Sequence, residues 1–175
     1  MRNYYIIAFL LVVFSCTEEP KKENPFLKLS KEERKILSQN SIKKAVKKEQ
    51  QQIKAYIKRK GGKFTESKTG VQTLVINAPE TNGNTFPTAG NLIEIKYCLT
   101  LLNGDTIFKK DTKESFVLEY ADKESGLHEA LKTMNVGTKA IVIIPSYRAH
   151  GLVGNDKKIP ALSTLVYELE LTGIE

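Results

Sequence analysis

The chain has no tryptophan, two histidines, two cysteines and two methionines in 175 residues. Metal centres draw on histidine, cysteine and carboxylate ligands gathered at short spacings. His128 and His150 stand far apart, and the cysteines stand at 16 and 98, so no metal site is expected. The glycine patterns that cradle phosphates or dinucleotides are missing, as is the Gly-x-Ser-x-Gly turn that presents a nucleophile. These gaps argue against reactions built on a nucleophile, a metal or a phosphate-bearing cofactor. Any catalysis would have to need little chemical equipment. Long apolar runs are scarce too. The longest, YYIIAFLLVVF at residues 4–14, is shorter than the roughly 20 residues a membrane-spanning helix requires.

That run has another use. Behind the positive start MRN it fits the apolar region of a secretory signal. The segment LVVFSC at 11–16 resembles a bacterial lipobox, which predicts a lipoprotein signal peptide over 1–16 and a lipidated Cys16. The bland alternative is a plain signal peptide cut near Ser15. Thr17 in place of Asp resembles lipoproteins sorted to the outer membrane, so the expected address is a lipid anchor there, with a periplasmic or surface-facing body. Residues 17–29 are polar, contain Pro20 and Pro25, and read as a flexible tether. With Cys16 lipidated, Cys98 has no partner for a disulfide and reads as a small buried hydrophobe.

The formal charge of +7 is unevenly placed. Residues 21–63 hold 15 Lys/Arg against 4 Asp/Glu, while residues 64–175 hold 11 against 14. The basic segment carries one tyrosine among Lys, Gln and Glu, without the aromatic interleaving of a nucleic-acid surface, so nucleic acid is not an expected partner. Ser30 and Glu33 form a capping-box pattern that opens a helix, and Gly61-Gly62 would end it, so residues 30–62 read as a basic helical segment. Ile36, Leu37, Ile42, Val46, Ile53, Tyr56 and Ile57 make a thin apolar stripe along it. It reads as a stalk or as a helix with one docking edge. A weak homodimer through residues 30–60 is the alternative use of the stripe.

From residue 64 the period becomes two. Residues 70–77 suggest a strand. In NLIEIKYCLTL, Ile93, Ile95, Tyr97, Leu99 and Leu101 share one face. Asn103-Gly104 marks a hairpin turn. Phe116, Leu118 and Tyr120 alternate again, and residues 139–144 and 164–171 read as further strands. Leu127, Ala130, Leu131 and Met134 fall at helix spacing, with His128 off that stripe and expected at the surface. The fold class is α+β: antiparallel strands with one short helix on a sheet face, behind a long N-terminal helix.

Read alone, Tyr97, Tyr167 and Leu127 are core positions and His150 is a solvated loop residue. Their order on the chain adds something else. PTAGNLIEIKY, LLNGDTIF, FVLE, GLHEALKTMNVGTKAIVIIPSYRAHG and KIPALSTLVYELEL resemble, in sequence and spacing, the FKBP-type peptidyl-prolyl isomerases over about residues 66–173. With the lipobox and the lysine-rich helix, the chain is similar to FKBP-type lipoproteins of Bacteroidetes, including those associated with gliding motility. The resemblance implies an isomerase domain over 64–175, a curved antiparallel sheet wrapped around one short helix, and an apolar pocket between them. Its substrates would be proline-containing polypeptides and it would use no cofactor. Position by position, it implies Tyr97 and Phe108 on the pocket wall, Leu127 as its floor, Ile159 as an aliphatic clamp and Tyr167 on the last strand. It also implies a carbonyl-binding role for His150 and a flap over 146–158. Phe116, Glu124 through its backbone N–H, Lys109 and Asp111 complete the implied substrate-binding set. Lys109 stands where the family has an acid, and Lys123-Glu124 where it has aliphatics. The reaction itself needs no proton, metal or nucleotide. A planar amide with a barrier of about 20 kcal/mol must be held twisted in a dry, apolar cup. The alternative is the same fold used as a chaperone or assembly module that binds proline segments without turnover. A more distant one is a membrane-surface adaptor acting through the basic helix.

Overall fold

The computed structural model describes residues 30–79, 86–155 and 158–175. The expected signal peptide, the lipidated Cys16 and the tether over 17–29 lie outside the described residues. By contacts the chain divides into two units, Met1–Gln39 and Asn40–Glu175.

The described part of the first unit is the opening of α1 (Lys31–Lys60). The capping box forms as the sequence requires: the Glu33 N–H donates to Ser30 Oγ at 3.2 Å, and the Ser30 N–H donates to Glu33 Oε2 at 2.9 Å. Ile36 and Leu37 are exposed there.

The second unit contains the rest of α1, which ends where Gly61 takes φ 72° and its N–H closes on the Ile57 carbonyl. Six antiparallel strands follow: β1 (Thr65–Glu66), β2 (Gln72–Asn77), β3 (Leu92–Leu101), β4 (Thr106–Val117), β5 (Lys139–Ile144) and β6 (Leu165–Ile174). They form one curved sheet in the order β1-β2-β5-β6-β3-β4. The short helix α2 (Ser125–Leu131) lies between β4 and β5 in sequence and packs against β5.

Strand alternation sorts the core into two layers. Ile93, Ile95, Tyr97, Leu99, Leu118, Leu127, Leu131, Val142, Ile144, Tyr167 and Leu169 are buried together on the α2 side. Ile141, Ile143 and Val166 point the other way and are covered by Ile53 of α1, with Tyr56 and Ile57 packed at the margin. This explains KAIVII. A strand buried on one face alternates, whereas one covered on both reads as a continuous apolar run. The docking edge of the basic helix is therefore used within the chain.

Three expectations are corrected. The alternation through Phe116, Leu118 and Tyr120 does not continue as strand. β4 ends at Val117, Glu119 takes φ 67°, and the turn leaves Tyr120 79% exposed. His128 is buried, not superficial: its Nδ1 accepts the Glu119 N–H at 3.1 Å, Nε2 faces the Ala121 carbonyl at 3.3 Å, and the ring meets Phe116 edge-on. A histidine with both ring nitrogens engaged can be buried at little cost. Cys98 is half-buried, because it lies on the less covered face of β3, and burial pushes its thiol pKa up.

Candidate functional site

The inward face of β3 and β6 sets an aromatic group at the mouth of the sheet. Leu99 pairs with Tyr167 and Tyr97 with Leu169, so the two tyrosines lie diagonally across neighbouring strands, and their ring centroids are 5.4 Å apart. Phe108, from the start of β4, meets Tyr97 edge-on at 5.9 Å. Tyr97 and Tyr167 are almost wholly buried, while Phe108 is 40% exposed and closes the group on the solvent side. Leu127, in the first turn of α2, is buried in the same core, as is Ile159 from the segment between β5 and β6. The Asn155 N–H donates to the Ile159 carbonyl at 2.7 Å, a bridge that folds the segment back. The structure thus brings Tyr97, Phe108 and Tyr167 together, with Leu127 and Ile159 in the shared core. Two residues of the expected flap, 156 and 157, lie outside the described residues.

His150 stands at the edge of this group. It helps line a recess of about 530 Å³ with Asp122, Lys123, Glu124, Ala149, Val153, Gly154 and Asn155. Its Nε2 is 3.1 Å from Glu124 Oε1.

The polar chemistry is denser than the sequence suggested. Glu124 does not wet the rim with its carboxylate. The side chain turns inward, where Tyr167 Oη donates to Oε2 at 3.1 Å while His150 faces Oε1. A buried carboxylate needs such partners. The Glu124 backbone N–H finds no acceptor among the described residues, and the carbonyl accepts from the Leu127 and His128 amides at the head of α2. Burial, then the charge of Glu124, pushes the Tyr167 hydroxyl far above the ordinary tyrosine range. Burial, then Glu114, does the same to Tyr97.

Glu114 is the residue that sequence reasoning missed. Tyr97 Oη donates to its Oε2 at 3.1 Å, and Lys123 is ion-paired with Oε1. The signal was available. Glu114 stands two positions before Phe116, which points inward, and so shares its strand face, opposite Ile95. Its charge argued for the outside, and its partial burial depends on Tyr97 and Lys123. Lys109 and Asp111, implied as part of the substrate-binding set, behave differently. Lys109 is exposed, and its carbonyl accepts from Thr112 Oγ1 at 2.7 Å. Asp111 takes φ 67° and pairs with Lys96 at 3.0 Å, which holds its carboxyl pKa below the usual range and keeps it on the face away from Tyr97. Phe116 is buried behind α2 against His128, and Lys123 Nζ lies 5.8 Å from its centroid.

The segment after β5 is tied at its base. Arg148 pairs with Glu129 of α2 at 3.0 Å, and Ser125 Oγ donates to the Arg148 carbonyl at 3.2 Å.

Comparison with known proteins finds relatives in sequence and in fold. The profile of the family described as "FKBP-type peptidyl-prolyl cis-trans isomerase" matches residues 83–172. Among curated proteins, the chain is 34% identical over 119 residues to the FKBP-type 22 kDa peptidyl-prolyl cis-trans isomerase of Escherichia coli, covering 67% of this chain and 55% of that protein. It is 34% identical over 116 residues to peptidyl-prolyl cis-trans isomerase FKBP11 of Bos taurus, covering 63% of this chain and 57% of that one. The chain thus spans a little over half the length of these two relatives. Among solved structures, FkpA from Escherichia coli superposes with a TM-score of 0.63 at 25% identity, over 85% of this chain and 74% of that one. A peptidyl-prolyl cis-trans isomerase from Pseudomonas syringae pv. tomato gives a TM-score of 0.65 at 24% identity, over 76% of this chain and 95% of the other, a likeness of fold.

Proposed function

The chain belongs to the FKBP-type peptidyl-prolyl cis-trans isomerase family, and from that premise we propose that it catalyses rotation about X–Pro bonds in exported polypeptides while held at the outer membrane by lipid on Cys16. Members of the family are isomerases. The observation that carries the reading here is the meeting of Tyr97, Phe108 and Tyr167, at 5.4 and 5.9 Å, over a core that includes Leu127 and Ile159. An X–Pro bond left alone turns over in tens to hundreds of seconds. A proline ring seated among these side chains loses water from its amide. Desolvation disfavours the planar, charge-separated form, and a donor such as the Glu124 N–H or the His150 ring holds the twisted carbonyl. No step needs a cofactor.

The anchor rests on LVVFSC and the polar tether, and the orientation on Thr17. Together with the basic helix they support the finer reading of an FKBP-type lipoprotein of Bacteroidetes, of the kind associated with gliding motility. A dimer seam along residues 30–60 keeps the support of exposed Ile36, Leu37 and Ile42, since Ile53 is occupied by the sheet. A second reading, a proline-binding chaperone without useful turnover, draws support from the buried Glu124 carboxylate, which sits where the family resemblance implies an aliphatic side chain.

A protease-free assay on an Ala-Leu-Pro-type peptide separates the two readings. Isomerisation should accelerate with the wild-type chain, and Tyr97→Ala or Tyr167→Ala should lower kcat/KM by at least about tenfold. Peptide binding without acceleration would favour the chaperone. Cys16→Ser should move the protein from the membrane fraction to the soluble one, and retention in membranes would refute the lipid anchor.

A further inference from the structure

Beyond its first turn, helix α1 carries a lone acid. Between Glu33 and Glu66 the only Asp or Glu is Glu49, set among nine lysines and two arginines. It is also one of the two buried residues of the helix, the other being Ile53 one turn on. Three bonds end on its carboxylate. The Ser146 N–H donates to Oε1 at 2.6 Å, Ser146 Oγ donates to Oε2 at 3.0 Å, and Thr164 Oγ1 donates to Oε1 at 2.6 Å. Ser146 and Thr164 are themselves buried. Ser146 is the first residue of the turn that leaves β5, and Thr164 is the last residue before β6. One side chain on the outer helix therefore grips both ends of the segment that contributes His150 and Ile159 to the site.

We infer that Glu49 is a positioning residue: α1 braces the two roots of the 146–164 segment through this carboxylate and so sets where His150 and Ile159 stand against Tyr97 and Tyr167. The inference rests on the proposed isomerase site for its kinetic consequence, though not for its structural one. A carboxylate taken out of water is retained only where hydrogen bonds replace the solvent, and here all of those bonds come from the segment's ends. On the opposite side the segment is held by Arg148–Glu129 and by Ser125 Oγ on the Arg148 carbonyl. Its start is thus pinned from α1 and from α2, while its end at Thr164 is tied to the same Glu49 side chain. A stalk or a simple apolar docking edge would need Ile53 and its neighbours, with no acid at this point.

The test is amide exchange on the full chain, with isomerase kinetics beside it. Glu49→Ala should speed exchange of the described amides within 146–155 and 158–164 by on the order of tenfold, leaving β3 and β4 amides unchanged. KM should rise by a similar factor with kcat within about twofold. Glu49→Gln should restore wild-type behaviour, because its Oε1 still accepts from the Ser146 N–H and Thr164, and its amide can donate to Ser146 Oγ. Thr164→Val, which trims only the far root, should give an intermediate opening and serves if Glu49→Ala does not fold. Unchanged exchange in Glu49→Ala or Thr164→Val overturns the inference, and so does acceleration spread equally over β3 and β4, the mark of general destabilisation. The exchange arm needs no substrate. A wild-type chain without isomerase activity would sink the proposed function and leave the brace to be judged by exchange alone.

Discussion

Tyr97 and Tyr167 carry both the shape and the electrostatics of the site. Each hydroxyl donates to a carboxylate, Glu114 and Glu124 respectively, and each has its pKa raised from an ordinary value of 10.0 by burial first and the carboxylate second. The folded state therefore holds these protons more tightly than the unfolded chain does. Their contribution to stability is complete below about pH 10 and declines as pH rises beyond it, because the unfolded tyrosines ionise first. Urea unfolding between about pH 8 and pH 11 should show a steep alkaline loss of stability, and Tyr167→Phe should flatten it. Equal slopes in the two proteins would contradict the pairing. Tyr97, Phe108 and Tyr167 were legible from strand period and from the order of the motifs. Glu114 and the inward turn of Glu124 were not, because a carboxylate is placed inside only by partners that other elements bring to it.

Helix α2 shows how closely one element must fit. Gly126 lies in its first turn, and a Cβ there would overlap Ile144 Cγ2 of β5 and lie 3.3 Å from Arg148 Cβ. The glycine lets the helix press onto the sheet, which seats Leu127 in the core it shares with Tyr97 and Tyr167. Gly126→Ala should lower stability by about 1–3 kcal/mol, the usual effect of overpacking, as read from the urea midpoint. It should also reduce kcat/KM by displacing Leu127. The helix spacing of Leu127, Ala130, Leu131 and Met134 announced this element in the chain. His128, off that stripe, was assigned to the wrong side because the loop at 119–121 folds back over it and supplies the Glu119 N–H and the Ala121 carbonyl.

The second unit works as a layered body, with α2 on one face of the sheet and residues 40–60 of α1 on the other. Removing everything before residue 64 would strip the cover from Ile141, Ile143 and Val166, so an isolated 64–175 fragment should be less stable and prone to self-association, visible as a lower unfolding midpoint and a larger scattering radius. Ile53→Ala in the full chain should cost about 2–4 kcal/mol, the range for emptying a buried aliphatic site. A fragment as stable and monodisperse as the full chain would mean that the helix cover contributes nothing.

Local pattern was enough to establish the basic capped helix, the alternating strands, the short amphipathic helix and the order of motifs that identifies the family, since each depends on residues within a turn or a strand of one another. The apolar run of β5 marked it as a strand, and the fold supplied its cover on both faces. The partner of that run, the pairing of Glu49 with Ser146 and Thr164, and the carboxylates under the two tyrosines required the folded chain. They join positions as many as 115 residues apart, and a buried polar group is stable only once its distant partners have been brought to hydrogen-bonding distance.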